Sequence, residues 1–381
     1  VYTLGVMKNK KILWLVLALA VIIVGSVVYS KGNAVSQTVK IGALYPMTGG
    51  LASYGEPARN AAQIAVDDVN AAGGVNGTKL ELIVADHQCD PKEAVSVFEK
   101  LSSIDNIHIF TSVACTGTVL SIVPSLETKQ AVLLGTVTSG NKLTGVSPDF
   151  LRNWASDAQE SSLLAKEALR AGYKNVAVIY EDTDYAKGLA VAMQQSLSSK
   201  GVKVAMESFA SGATDVRTQL TKLASLKPDL VFVSVQTVPS GEMALTQMEQ
   251  LKFQPNQLFV NDNILKSTVL IKNHPKLLNG AIGGDYTFAM TDKLQAFLAK
   301  YKVRYGTDCP QVNICAAEYD AIQLLAKAIA AKGDSASSVS AYLKTAQYSG
   351  LSGQISFDAN NDRSNAEYSL FQIRQGELVG I

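Results

Sequence analysis

The sequence predicts an α/β protein of two lobes, each a parallel sheet flanked by helices, with three crossings of the chain forming a hinge. Three observations carry that prediction. From Val39 to about Val260, short apolar, strand-like runs alternate with amphipathic stretches of helical period, the pattern of strand, crossover helix and strand. The chain has 381 residues, 47% of them hydrophobic, which favours two cores over one. After two successive units of this kind come extra helices and a short β tail, so the chain is expected to cross between lobes near Trp154, near Gly283-Gly284 and again near Tyr348 to Gly353.

The elements follow in order. Val39 to Tyr45 reads as a buried strand, then a turn-rich loop, Pro46 to Gly55, and an amphipathic helix, Pro57 to Ala72, stopped by Gly73-Gly74. Lys79 to Ala85 is the second strand, with a helix starting at Asp90-Pro91, and Ile107 to Val113 is the third. Strands at Ala131 to Gly135 and Phe150 to Trp154 complete the first unit. Ser156-Asp157 opens a helix over Ala158 to Ala171. The second unit takes strands at Asn175 to Tyr180, Val202 to Ser208, Asp229 to Val235 and Gln257 to Val260, separated by helical stretches at Ala186 to Lys200, up to Leu226 and at Gly241 to Leu251. Ala281 to Phe288 is extended. Helices are expected at Asp292 to Tyr305, Glu318 to Ala331 and Ser337 to Lys344, and a closing pair of strands at Gly353 to Phe357 and Tyr368 to Arg374. The crossings divide the chain into lobe 1 (38–154 plus 285–347) and lobe 2 (155–284 plus 348–381), after an N-terminal segment, 1–34.

That N-terminal segment points outward. Lys8, Lys10 and Lys11 precede an apolar run from Ile12 to Tyr29, which describes a secretory signal or a marginal membrane anchor. Met7 reads as its natural start and Gly32-Asn33-Ala34 as a weak cleavage site; no Cys follows the run, which argues against a lipid anchor. Cleaved or retained, it leaves the body periplasmic or on the outer face of the cytoplasmic membrane. Four cysteines fit an exported chain. Cys89 and Cys115 each follow a predicted strand and come together if those strands are neighbours, and Cys309 and Cys315 can form a small clip.

Several function classes fall away. The net charge of +1 and the absence of a basic block argue against nucleic-acid binding. Gly49, Gly50 and Gly55 lack the spacing of a nucleotide loop. His87, His108 and His274 are scattered, and no H-E-x-x-H or G-x-S-x-G occurs, so neither an enzyme, a metal nor a cofactor is expected. Ligands of such sheets sit beyond the carboxyl ends of the strands. Here those ends carry Gly, Ser and Thr, which suit holding a small polar molecule. Tyr45 and Tyr54 flank the first loop and are candidates for the cleft wall.

These residues resemble the type I periplasmic solute-binding proteins of ABC importers, most nearly the leucine/isoleucine/valine-binding proteins, over about Val39 to Ile373. The resemblance rests on Ile41-Gly42-Ala43 with Thr48-Gly49, on Asp68 to Gly77, on Cys89 to Ala94 and on Tyr185 to Ala190. It implies a disulfide between Cys89 and Cys115. It also implies that Thr116 and Ser139 hold a ligand carboxylate, that the backbone carbonyl of Thr138 takes its ammonium, and that Tyr185 covers it. The acid that this family uses for the ammonium falls near Asn261-Asp262-Asn263, with Asn263 at its position; Asp262 substitutes after a small register shift. A second family aromatic falls near Thr237-Val238 and is missing. The expected function is capture of an amino acid, branched-chain or aliphatic, by hinge closure of a monomer that docks on an ABC permease. The alternatives are a membrane-anchored sensor built on the same module, and a ligand that is a simple carboxylate or an amide.

Overall fold

The computed structural model describes residues 38–381; the expected leader and its apolar run lie outside the described residues. Two sheets form the framework. The first is built from β1 (Val39–Tyr45), β2 (Leu80–Asp86), β3 (Ile109–Val113), β4 (Val132–Thr136) and β5 (Phe150–Arg152). Its order is β2-β1-β3-β4-β5, parallel throughout. The second contains β6 (Asn175–Glu181), β7 (Lys203–Phe209), β8 (Leu230–Ser234), β9 (Gln257–Val260) and β10 (Ile282–Tyr286). A separate hairpin, β11 (Tyr348–Gly350) with β12 (Gly353–Ile355), precedes β13 (Tyr368–Arg374) and β14 (Glu377–Gly380). The second sheet runs β14-β13-β10-β9-β8-β6-β7 and turns antiparallel only at β13 and β14. Every residue of β3, β4 and β8 is buried, which is why these strands show no alternation of apolar and exposed polar positions, although β3 buries Thr111 and Ser112.

Helices cover both faces of the first sheet. Helix Ala52–Ala71 and helix Val312–Lys332 share one face, packing Ala58, Ala62 and Ala65 with Ile322, Leu325 and Ile329. Helix Pro91–Ser103 and helix Thr116–Leu126 share the other, through Phe98, Leu101, Val119 and Ile122. Side-chain caps fix several starts: Asp90 accepts from the amides of Lys92 and Glu93 at 2.8 and 3.0 Å, and Ser156 caps the helix Asp157–Arg170, each satisfying an otherwise unpaired helix-end donor.

Two sequence expectations need correction. Gly353 to Phe357 and Tyr368 to Arg374 do not pair with each other. β12 pairs with β11, while β13 pairs with β10 and, through the Gln375-Gly376 turn, with β14. Both turn residues have positive φ, 52° and 87°, the twist that a tight hairpin needs. The segment around β11 and β12, assigned from the sequence to lobe 2, packs with the first sheet instead, because Ile355 enters the same core as Ile41 and Leu134. The third crossing therefore lies between Ile355 and Tyr368. It is tied to the first: Arg152, fully buried, pairs with Asp362 (Nε to Oδ1, 2.5 Å), and Arg363 donates to Asn153 Oδ1 at 3.0 Å.

Candidate functional site

Between the two sheets lies a small cavity of about 20 Å³. Most of its wall comes from residues just past strand ends. Ala114, Cys115 and Thr116 follow β3; Val137 and Ser139 follow β4; Gln236 follows β8; Asp262 and Asn263 follow β9. Leu51, Tyr54 and Tyr185 complete it. Five of the six residues expected from the sequence thus share one wall: Thr116, Ser139, Tyr185, Asp262 and Tyr54. Thr138 does not join them. It is fully buried off the cavity, and its carbonyl faces Arg152 Nη1 at 3.4 Å, so that acceptor is directed at a guanidinium. Tyr45 also lies elsewhere; its hydroxyl donates to the buried Glu318 at 2.5 Å.

The lobe 1 side is arranged for an anion. Helix Thr116–Leu126 starts at the cavity, where its first amides have no intrahelical partner and the dipole favours negative charge. Thr116 and Ser139 line the cavity beside it. Gly140 makes this proximity possible, because a Cβ there would lie 2.3 Å from the Thr116 side chain. Ala114, Cys115 and Val137 all adopt left-handed backbone, with φ of 60°, 58° and 57°. Such conformations cost non-glycine residues free energy and persist where surrounding structure enforces them, often at ligand sites. Sequence reasoning missed Ala114, Val137, Leu51 and Gln236 as lining residues. Their place one or two positions beyond a strand was the available signal for all but Leu51.

The lobe 2 side is acidic and heavily bonded. The Tyr185 hydroxyl donates to Asp262 Oδ1, and Asn261 Nδ2 donates to the same hydroxyl at 2.9 Å. Lys266 Nζ lies 3.1 Å from both Asp262 Oδ2 and Asp285 Oδ1. Burial alone would lower the Lys266 pKa, but these two carboxylates hold it well above its ordinary value. Behind them, Glu160 Oε1 accepts from the Asp262 amide at 3.1 Å. Burial first, then the Asp262 and Asp157 charges, push Glu160 up; burial and Asp262 push Asp157 to about 7. Asp157 Oδ2 and Glu160 Oε2 have no hydrogen-bond partner in the protein.

The lobes touch around the cavity. Tyr54 Oη donates to Asn263 Oδ1 at 2.7 Å, Asn141 Nδ2 to the Gly188 carbonyl at 3.2 Å, and Lys142 Nζ pairs with Asp184 at 2.8 Å. The Cys89–Cys115 disulfide is formed, with Cα atoms 5.5 Å apart, and Gln236 reaches Cys89 Sγ across the cleft at 2.8 Å. Cys309 and Cys315 are bonded as well, with Cα atoms 6.8 Å apart. Among the described residues no cluster of His, Cys, Asp and Glu is arranged to hold a metal ion. His87 is buried, with its pKa lowered to about 4 by that burial, and its Nδ1 accepts from the Cys89 amide.

Comparison with known proteins gives a consistent picture. The family model for periplasmic binding proteins matches residues 38–377. The Leu/Ile/Val-binding protein BraC3 of Rhizobium johnstonii is 26% identical over 351 residues, covering 90% of this chain and 93% of that protein. An amino acid binding protein of Pseudomonas aeruginosa is 28% identical over 373 residues, covering 94% and 95%. Among solved structures, the leucine binding protein LivK of Thermotoga maritima shares the fold with a TM-score of 0.79 at 23% identity, over 90% of this chain and 98% of that one.

Proposed function

Since the chain belongs to the periplasmic binding protein family, we propose that it captures an amino acid in the interlobe cavity and delivers it to an ABC permease. One observation carries the reading: a small cavity has a helix start and two hydroxyls on one lobe, and a carboxylate and a tyrosine on the other. An α-amino acid presents a carboxylate and an ammonium within one small molecule. Burying both requires donors for the first and acceptors for the second. Thr116, Ser139 and the free helix amides supply the donors. Asp262 supplies the acceptor, held in place by Tyr185 and Lys266. The relatives support the same class, since BraC3 is named as a Leu/Ile/Val-binding protein and the Pseudomonas protein as an amino acid binding protein.

In this reading the protein binds and does not transform its ligand. It works outside the cytoplasm, freely or held by its N-terminal segment. Among the described residues no helix is long and apolar enough to cross a membrane, and the run Ile12 to Tyr29 lies outside them. The test is titration calorimetry of residues 34–381 against the common amino acids, with benzoate and simple amides as controls. Saturable binding of amino acids, lost when the ligand's α-amino group is removed, supports the reading. Binding of a carboxylate without an amino group, with no amino acid bound, would replace it.

A further inference from the structure

A second cavity, of about 170 Å³, adjoins the first and shares Tyr54 and Val137 with it. Beyond those two, its wall is made by Trp154, Lys266, Gln311 and Val312, among others. Resting on the amino-acid reading above, we propose that this second chamber is the side-chain subsite. It would select amino acids with a long side chain, apolar along its stem and ending in a neutral hydrogen-bonding group, such as glutamine or tyrosine.

The chemistry of the wall sets that class. Nearest the first cavity stand Tyr54 and Val137, and Trp154 is held edge-on against Tyr286 and Phe288, with ring centroids 5.0 and 6.0 Å away. These surfaces accept an apolar stem. The polar side chains are Lys266, Gln311 and Asn313, whose Nδ2 is already given to the Tyr286 carbonyl at 2.7 Å. Lys266 donates to Asp262 Oδ2 and lies 3.1 Å from Asp285 Oδ1, and an ammonium has three N–H groups to give, so at least one remains for an oxygen in the chamber. Its side chain is 22% exposed, consistent with that access. A cationic tip would face the Lys266 charge. An anionic tip would come close to the carboxylates of Asp262 and Asp285, which already sit on that ammonium. A neutral amide or phenol avoids both costs and finds Lys266 as donor and Gln311 as donor or acceptor. The far wall is also fixed covalently: the Cys309–Cys315 disulfide brackets Pro310 to Ile314, all of which line the chamber.

Calorimetry on residues 34–381 tests this with L-glutamine, L-tyrosine, L-valine and L-lysine as probes. The wild type should bind glutamine or tyrosine at least roughly tenfold more tightly than valine or lysine. In Val312→Trp, which fills the chamber, the affinity ratio of the long ligand to valine should fall at least roughly tenfold. Gln311→Ala should lower the same ratio by a smaller factor, providing a second reading if the tryptophan variant does not fold. Valine or lysine bound as tightly as both long neutral ligands, or ratios unchanged in the variants, would overturn the inference while leaving amino-acid capture intact. No binding of any amino acid would overturn capture itself and the inference with it.

Discussion

Asp262 is bonded to Tyr185 and paired with Lys266, whose ammonium also holds Asp285, so its carboxylate is positioned before any ligand arrives. Pre-positioning lowers the ordering cost of binding. Asp262→Asn should weaken amino-acid binding by about 10- to 100-fold, the range for losing a hydrogen bond to a charged group; calorimetry checks it, and an unchanged Kd would remove Asp262 from the site. Asp157 lies behind this cluster, with its folded-state pKa pushed from 3.8 to about 7. The folded protein therefore keeps a proton that the unfolded chain releases, and stability falls as pH rises through that interval. Glu160 and Glu318 are raised too, mainly by burial, and act in the same direction. Asp157→Asn removes one of these contributions, so its melting temperature should fall less than that of the wild type between pH 4 and 7. Parallel curves for the two proteins would show that Asp157 is not the titrating group.

At the scale of elements, the two disulfides do different work. Cys89–Cys115 closes a 26-residue separation and ties the loop after β2 to the loop after β3 across the end of β1, whereas Cys309–Cys315 closes only 6. On chain-entropy grounds, replacing the first pair with alanine should cost about 3 kcal/mol of stability and the second about 2 kcal/mol. Denaturant unfolding of the two double variants measures this, and equal losses would refute the loop-length account. The parallel strands of both sheets were legible because strands buried on two faces appear as compact apolar runs; the exposed edge strand β14 was not. Helix Thr116–Leu126 was not: Val119, Ile122, Val123 and Leu126, all buried, stand at helical spacing on one face, but Gly117 and Pro124 interrupt a run of only 11 residues that starts from a left-handed Cys115. The site was partly legible. Ser139 and Thr116 announce themselves by residue type after a strand. Ala114 and Val137 do not, since nothing in an alanine or a valine signals a left-handed backbone. Nor could the sequence reveal that the Thr138 carbonyl would be claimed by Arg152, over a fold that brings Asp362 to the same guanidinium. The pairing of β13 with β14 and not with β12 depended on which core took Ile355, a tertiary choice that local pattern does not express.

As a whole molecule, the protein holds its lobes together by contacts made across the cleft and by the crossings at its edge. The cross-cleft contacts are few and partly solvent-exposed. Lys142 is 59% exposed at its side chain, and its pair with Asp184 is therefore worth at most about 1 kcal/mol. Lys142→Ala should shift ligand affinity by no more than about fivefold. Small-angle scattering should show a smaller radius of gyration with a bound amino acid than without, and identical profiles would argue against hinged closure. The crossings are different in kind. The backbone passes between the sheets after Arg152, after Tyr286 and after Ile355, and Arg152 and Arg363 knit the first passage to the third. A protease that severs one of these passages leaves two intact and the ends of the cut strand still bonded to their neighbours. A nicked molecule should therefore migrate as two fragments under denaturing conditions yet remain a single particle in solution. Damage at any one passage would not by itself set the two lobes adrift.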